Sequence, residues 1–241
     1  MNEPAIAVIG DGKMGRTVAE MVQARGWHLT AMLDQEHNHN GAGITRRALG
    51  DPDVAIEFTE PGSAIPNIMA CIHEGVPVVV GTTGWYESIE AVAAAVNAED
   101  AALVWAPNFS VGVNLFIELA HHAADIMSRA PEFSAAMIET HHSAKKDAPS
   151  GTALAIVKAM EESLGKKLPV TSVRTGSVPG THELIFDGQY EQIIMRHEAR
   201  DRRIFADGAL RAAQWLIGKK GVYTMRDVLG FDDAPRKRSR S

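Results

Sequence analysis

Glu139–Thr152 reads E-T-H-H-S-A-K-K-D-A-P-S-G-T, which gathers two adjacent histidines, two adjacent lysines, an aspartate and a Pro-Ser-Gly-Thr turn. An unperturbed imidazole titrates near ~6.5, so His141 or His142 can give or take a proton near neutral pH. Lys145 and Lys146 supply positive charge, and a desolvated lysine can also act as an acid. Ser150, Gly151 and Thr152 read as the opening of a helix, because Leu154, Val157, Met160 and Leu164 then recur at helical spacing. The first N–H groups of a helix have no intrahelical partner and sit at the positive end of its dipole, so they suit a carboxylate. Gly151 lets such an anion approach the backbone closely. Asp147 reads as the N-cap and Pro149 as a first-turn residue. Upstream, Glu132–Ile138 reads as a short strand, so the cluster falls where a strand passes into a helix. The chemistry implied is a site for a small anionic substrate with an acid beside it.

The string H-H-x-x-K-x-D-A-P-S-G-T-A resembles the signature of the dihydrodipicolinate reductase family. His141, His142, Lys145, Asp147, Ala148, Pro149, Ser150, Gly151, Thr152 and Ala153 all match it. The resemblance implies NAD(P)H-dependent reduction of 4-hydroxy-tetrahydrodipicolinate, or dihydrodipicolinate, to tetrahydrodipicolinate, in the diaminopimelate route of lysine biosynthesis. Reducing a conjugated imine needs a hydride, a proton donor and a cationic clamp for two carboxylates. In these terms His141 is the acid–base residue, Lys145 the proton donor and charge partner, and His142, Gly151 and Thr152 bind the substrate. A related dehydrogenase for another amino or imino acid, or a dinucleotide sensor without turnover, would not need the intact H-H-x-x-K string.

The elements that carry a cofactor come first in the chain. Ala5–Ile9 is a continuous apolar run, as in a strand buried on both faces of a parallel sheet. It leads into Gly10-Asp11-Gly12-Lys13-Met14-Gly15 and then a helical pattern ending near Arg25-Gly26. In G-x-G-x-x-G, Gly10 permits the tight turn, Gly12 lets backbone approach a pyrophosphate, and Gly15 lets helix and strand pack closely. Leu29–Leu33 reads as the second strand. Asp34 follows it, 19 positions after Gly15, where an acid can bind ribose hydroxyls. Gln35 comes next rather than an arginine that would neutralise a 2′-phosphate, which leans towards NADH; the cofactors expected are NADH and/or NADPH. Many family members have a longer G-x-x-G-x-x-G loop, and the stretch between Asp34 and Val54 is also short here; both bear on cofactor choice. His37 and His39 in Gln35–Asp53 have no third ligand at a supporting spacing, so this stretch reads as a solvated loop and no metal is expected.

Val54–Phe58, Pro77–Val80 and Ala101–Trp105 read as further strands, and Ser63–Glu74 and Trp85–Asn97 as helices. This alternation predicts a doubly wound Rossmann-type α/β sheet. Ligands of such sheets bind beyond the carboxyl ends of the strands. Those ends carry Phe58-Thr59, Gly81-Thr82-Thr83 and Ala106-Pro107-Asn108-Phe109. F-T, G-T-T-G and A-x-N-F-S-x-G resemble segments of the same family in the same order, which implies that they line the nicotinamide ribose and ring.

Ser110–Ser128 is amphipathic, with Val113, Phe116, Ile117, Ala120, Ala124 and Met127 on one stripe and Ser110 as a possible cap. His121 and His122 within it read as helical packing or surface residues. After the signature loop and its helix, Gly165-Lys166-Lys167 and Pro169 stop the helix. Val170–Arg174 reads as a strand. His182–Phe186 and Glu191–His197 alternate around Asp187-Gly188, a hairpin signal. This predicts an α+β substrate domain with an open mixed or antiparallel sheet. Arg203–Ile217 reads as a helix that, in the family, returns to the cofactor domain. The resemblance implies domains at 1–109 with 217–241, and at 110–216. It also implies a homotetramer assembled through the second domain's sheets.

Composition bounds the rest. With 45% hydrophobic and 22% charged residues and a net charge of −6, the chain reads as globular and not as a nucleic-acid binder. One cysteine, Cys71, excludes an internal disulfide framework and suits a reducing cytoplasm. No apolar run approaches the ~20 residues of a membrane span, and Glu3-Pro4 lacks the basic start of a signal peptide. Arg236–Ser241, reading R-K-R-S-R-S, is expected to be a solvated tail.

Overall fold

The computed structural model describes residues 3–231, so the basic tail at Arg236–Ser241 lies outside the described residues. The elements run in chain order as β1 Ala5–Ile9, α1 Lys13–Ala24, β2 His28–Leu33, β3 Val54–Glu57, α2 Pro61–His73 and β4 Val78–Val80. A 3-10 turn at Tyr86–Ser88 opens α3 Ile89–Ala98, and β5 Ala102–Trp105 follows. Next come α4 Val111–Met127, β6 Ser134–His141, α5 Gly151–Leu164, β7 Val170–Arg174, β8 Thr181–Asp187 and β9 Gln192–Glu198. The chain closes with α6 Arg203–Leu216, β10 Gly221–Tyr223 and α7 Met225–Leu229. It divides into two compact units, residues 3–110 with 205–231, and residues 111–204.

The first unit is built on a sheet of order β10-β5-β4-β3-β1-β2, all of whose pairings are parallel. β3 and β4 are buried along their whole length, and apart from Glu57 at the end of β3 they are apolar throughout. Ile9, Ala55, Val78, Val80 and Leu103 of these strands pack with Ile68 and Ile72 of α2 and Val92 and Val96 of α3. The predicted doubly wound sheet is present. It has a sixth strand, β10, that the sequence reading lacks, because three residues pairing only with β5 leave no periodicity to detect. α2 starts at Pro61 rather than Ser63, since proline's fixed φ suits the first helical position.

The second unit has a mixed sheet of order β7-β6-β8-β9, with β6–β7 parallel and the other pairs antiparallel. α4 and α5 pack on it: Phe116, Ala120 and Ala124 meet Ala153, Ile156 and Met160 over Met137, Leu184 and Phe186. Four expectations need correction here. β6 runs to His141 instead of stopping at Ile138, because its ladders continue to Thr140 opposite Thr181 and His141 opposite Arg174. The buried stripe of α5 is Ala153, Ile156 and Met160, and Leu154 is 53% exposed. The α5 N-cap is Ser150, whose hydroxyl accepts from Ala153 N–H at 3.1 Å, so Asp147 and Pro149 precede the helix. The β8–β9 turn spans four residues instead of Asp187-Gly188, with Asp187 opposite Gln192 and Gly188 N–H donating to the Glu191 carbonyl. Among the described residues no helix is long and apolar enough to cross a membrane.

Candidate active site

Two constellations stand out, one on each unit. On the first, Gly10 has φ +105°, and a Cβ there would lie 2.1 Å from the Phe58 carbonyl oxygen. A Cβ on Gly15 would lie 1.8 Å from the Gly10 carbonyl oxygen. Both positions therefore exclude any side chain. Gly12, the N-cap of α1, would meet nothing within 4 Å. The loop is thus closed on its inner side and open at the positive end of α1, a cradle that fits a pyrophosphate.

Gly10, Asp11, Gly12, Asp34, Phe58 and Thr59 line one groove. Lys13, Met14, Gly81, Thr82 and Thr83 line a second together with Phe58 and Thr59. Met14, Ala106, Pro107, Asn108 and Phe109 line a third, again with Phe58 and Gly81. All sixteen sequence-selected cofactor residues except Gly15 thus line grooves at the carboxyl edge of the sheet, and Gly15 packs beneath the loop. Gly81 is required by Phe58, whose ring lies 2.0 Å from where a Cβ at 81 would be. Thr59 N–H donates to the Thr82 hydroxyl at 2.7 Å, tying two strand ends together. Asp34 accepts from His37 N–H at 2.9 Å and from its ring Nδ1 at 2.7 Å, and these bonds hold its carboxyl below the usual range.

On the second unit, β6 carries Glu139 and His141 two residues apart, hence on one face. Both are buried, and the His141 Nδ1–H donates to Glu139. The other Glu139 oxygen accepts from the Arg174 guanidinium at 2.6 Å, and the same nitrogen donates to the Asp147 carbonyl at 2.6 Å. Burial alone would raise the Glu139 carboxyl, but Arg174, Ser172 and His141 hold it down at about 2. Burial lowers the His141 imidazole. Glu139 pulls it back up, and the charges of Lys145 and Arg174 push it down again, leaving it below 6.5 overall. His182, opposite Glu139 on β8, stacks edge-on against His141 with ring centroids 5.3 Å apart. Burial, then the neighbouring imidazoles, lower its pKa to about 4.

Lys145 pairs with Asp147 at 2.8 Å. Asp147 is held below its usual range first by that bond and also by the Gly151 N–H, so a carboxylate of the chain itself already sits between Lys145 and the start of α5. Gly151 and Thr152 are the first two helical residues, and nothing lies within 4 Å of a Cβ built on Gly151. His142 follows the end of β6 and is half-buried. Lys145 is near enough to depress the His141 imidazole, so the turn brings imidazole, ammonium and helix start together. Sequence reasoning assigned no role to Glu139, Arg174 or His182. The E-x-H alternation on a strand was the available signal for Glu139, whereas Arg174 and His182 arrive from separate strands. Glu139, His141 and His182 place ligand-type atoms within 4.8 Å of one another, but the Glu139 oxygens are already taken by Arg174 and His141.

The family model for the dihydrodipicolinate reductase N-terminus matches residues 4–109, and that for the C-terminus matches residues 112–229. The chain belongs to the dihydrodipicolinate reductase family. It is 36% identical over 239 residues to the 4-hydroxy-tetrahydrodipicolinate reductase of Christiangramia forsetii, covering 93% of this chain and 97% of that one. It is 38% identical over 265 residues to the corresponding enzyme of Thiobacillus denitrificans, covering 94% and 98%. The dipicolinate-bound dihydrodipicolinate reductase of Paenisporosarcina sp. TG-14 shares the fold, with a TM-score of 0.77 at 23% identity, over 92% of this chain and 98% of that one. Dihydrodipicolinate reductases are oxidoreductases that use NADH or NADPH, and the open glycine cradle on the first unit fits such a group.

Proposed function

We propose that this chain reduces 4-hydroxy-tetrahydrodipicolinate, or its dehydrated form, to tetrahydrodipicolinate with NADH or NADPH, as the diaminopimelate route to lysine requires. The observation that carries the reading is the Glu139–His141 pair standing beside Lys145 and the N-terminus of α5, where a carboxylate of the chain itself already sits. Gly10–Gly15 would hold the pyrophosphate and Asp34 the ribose, with Phe58, Thr59, Gly81–Thr83 and Ala106–Phe109 lining the nicotinamide end. Bound there, the dinucleotide supplies a hydride.

The chain's own residues supply the rest. Glu139 fixes His141 with Nδ1 protonated, so Nε2 is the nitrogen left to carry the transferred proton. With its imidazole below 6.5, the free protein holds His141 largely neutral at pH 7. A dicarboxylate arriving beside it opposes Lys145 and Arg174 and favours the imidazolium, so substrate binding loads the acid. Lys145 and the Gly151–Thr152 N–H groups clamp the carboxylates, and His142 adds a donor. Asp147 holds Lys145 in place until the substrate displaces it. A helix start contributes about 0.3–2 kcal/mol to holding a carboxylate, depending on burial.

Asp34, with no arginine after it, supports a preference for NADH. The same reading has the enzyme as a cytoplasmic homo-oligomer, a tetramer assembled through its mixed sheets, free of nucleic acid and membrane. The direct test adds freshly prepared substrate to purified protein and follows the loss of reduced-nicotinamide absorbance. Turnover with this dicarboxylate supports the proposal; a dinucleotide that binds but is never oxidised overturns it. Paired assays with NADPH and the mass of the particle by light scattering test the cofactor and the tetramer.

A further inference from the structure

Beneath the groove of the first unit lies a group that the reaction does not use. Glu57 ends β3 and is 0% exposed. The bonds around it run in one direction. Asn38 donates to the Asn67 side-chain oxygen at 2.8 Å. The Asn67 amide donates to the Thr59 hydroxyl at 3.3 Å and to Glu57 Oε1 at 3.4 Å. The Thr59 hydroxyl then donates to the same Glu57 oxygen. Thr59 N–H in turn is held by the Thr82 hydroxyl. The groups in this network come from four separate segments: the loop after β2, α2, and the ends of β3 and β4. Thr59, Asn67 and Asn38 line the groove that holds the glycine loop and Asp34.

Burial raises the Glu57 carboxyl pKa, and the hydrogen bonds of Thr59, Thr82 and Asn67 pull it part of the way back. Burying a carboxyl costs desolvation that its donors offset only in part, so the fold alone gives little reason for an acid here. The residue is therefore poorly explained as a contribution to the fold. It is well explained as the one acceptor on which the chain of donors ends.

We propose that Glu57 is a positioning residue for the dinucleotide: it terminates a directed hydrogen-bond chain, Asn38 to Asn67 to Thr59 to Glu57, that sets the wall of the cofactor groove. The inference rests on the dinucleotide reading of that groove. It assigns Glu57 no contact with cofactor or substrate, and it makes the acceptor oxygen, not the charge, the working part.

The test compares Glu57→Gln, which keeps an acceptor, with Glu57→Leu, which keeps the volume and removes it. Glu57→Gln should hold the NADH KM within about twofold of the parent. Glu57→Leu should raise it about tenfold, the scale of one or two lost hydrogen bonds, with kcat and the KM for the dicarboxylate within twofold. A merely structural role would not confine the loss to the NADH KM while leaving kcat and the dicarboxylate KM in place. A folded Glu57→Leu with the parent's NADH KM overturns the proposal, as does an equal loss in both variants. Glu57→Leu strips the acceptor from the Thr59 hydroxyl and the Asn67 amide, so its melting temperature can fall, and a second variant covers the case in which it does not fold. Asn67→Ala, which breaks the chain one link further out, then decides the rest: a rise of a few fold in NADH KM sustains the positioning role, and no rise removes it. Failure of the parent protein to bind NADH would instead strike the dinucleotide reading itself.

Discussion

Replacing Glu139 by glutamine keeps the shape of the strand and removes one charge from a site where three groups depend on it. Arg174, Ser172 and His141 hold the carboxyl down at about 2, well below its usual 4.5, against the upward push of burial. At ~1.36 kcal/mol per unit this is roughly 3 kcal/mol of stability near neutral pH. A second route gives the same scale. The variant leaves Arg174 largely buried without its counter-charge, and breaking a buried pair from one side costs roughly 3–5 kcal/mol. The sign follows from the depressed pKa. The contribution is complete above pH 4.5 and disappears as pH falls towards 2, so parent and variant should converge at the acid end. The catalytic effect comes through His141. Glu139 raises that imidazole, so its removal moves the His141 ionisation to still lower pH. Urea denaturation at pH 7 and at low pH reads the first effect; the pH profile of kcat/KM reads the second. The expected result is a loss of roughly 3 kcal/mol at pH 7, a profile shifted to lower pH, and kcat/KM down on the order of 10²-fold. Equal stability at pH 7 together with an unshifted profile would refute the role given to this carboxylate.

Lys145→Ala should lower kcat and raise the KM for the dicarboxylate together, while the NADH KM stays within about twofold; normal saturation by the dicarboxylate would contradict its double role. Gly15→Ala forces a Cβ into the Gly10 carbonyl and should destabilise the first unit by roughly 3 kcal/mol or more, seen as a lower melting temperature and loss of NADH binding. His182, buried with its pKa lowered from 6.5 to about 4, should make stability fall as pH drops from 6.5 to 4, because the unfolded chain takes up the proton first; His182→Asn should flatten that slope. Binding of dipicolinate at pH 7 should be accompanied by proton uptake, measured by calorimetry in buffers of different ionisation enthalpy, and His141→Gln should abolish it.

The glycine loop and the signature string were legible because their chemistry is local. Gly15 answers to the Gly10 carbonyl five residues back, Gly10 takes a φ of +105° in its own tight turn, and Ser150-Gly151-Thr152 open the helix that follows them. The parallel sheet was legible because strands buried on both faces become apolar runs. What escaped was non-local. Glu139 reads as the first residue of a polar loop until β7 and β8 extend the ladder past it and bury it. Arg174 is 35 residues from Glu139 along the chain, and only strand pairing brings it there. β10 exists because β5 offers a free edge. Leu154 misled the helix register because an exposed leucine next to Ala153 mimics the core stripe.

The central claim is that an imidazole fixed by Glu139 handles the proton of a dinucleotide-driven reduction. Measuring turnover and NADH affinity side by side in His141→Gln tests it most directly. Turnover should fall by about 10²–10⁴-fold while the NADH dissociation constant stays within about twofold of the parent. Full turnover in that variant, or a loss explained by weakened NADH binding, would contradict it.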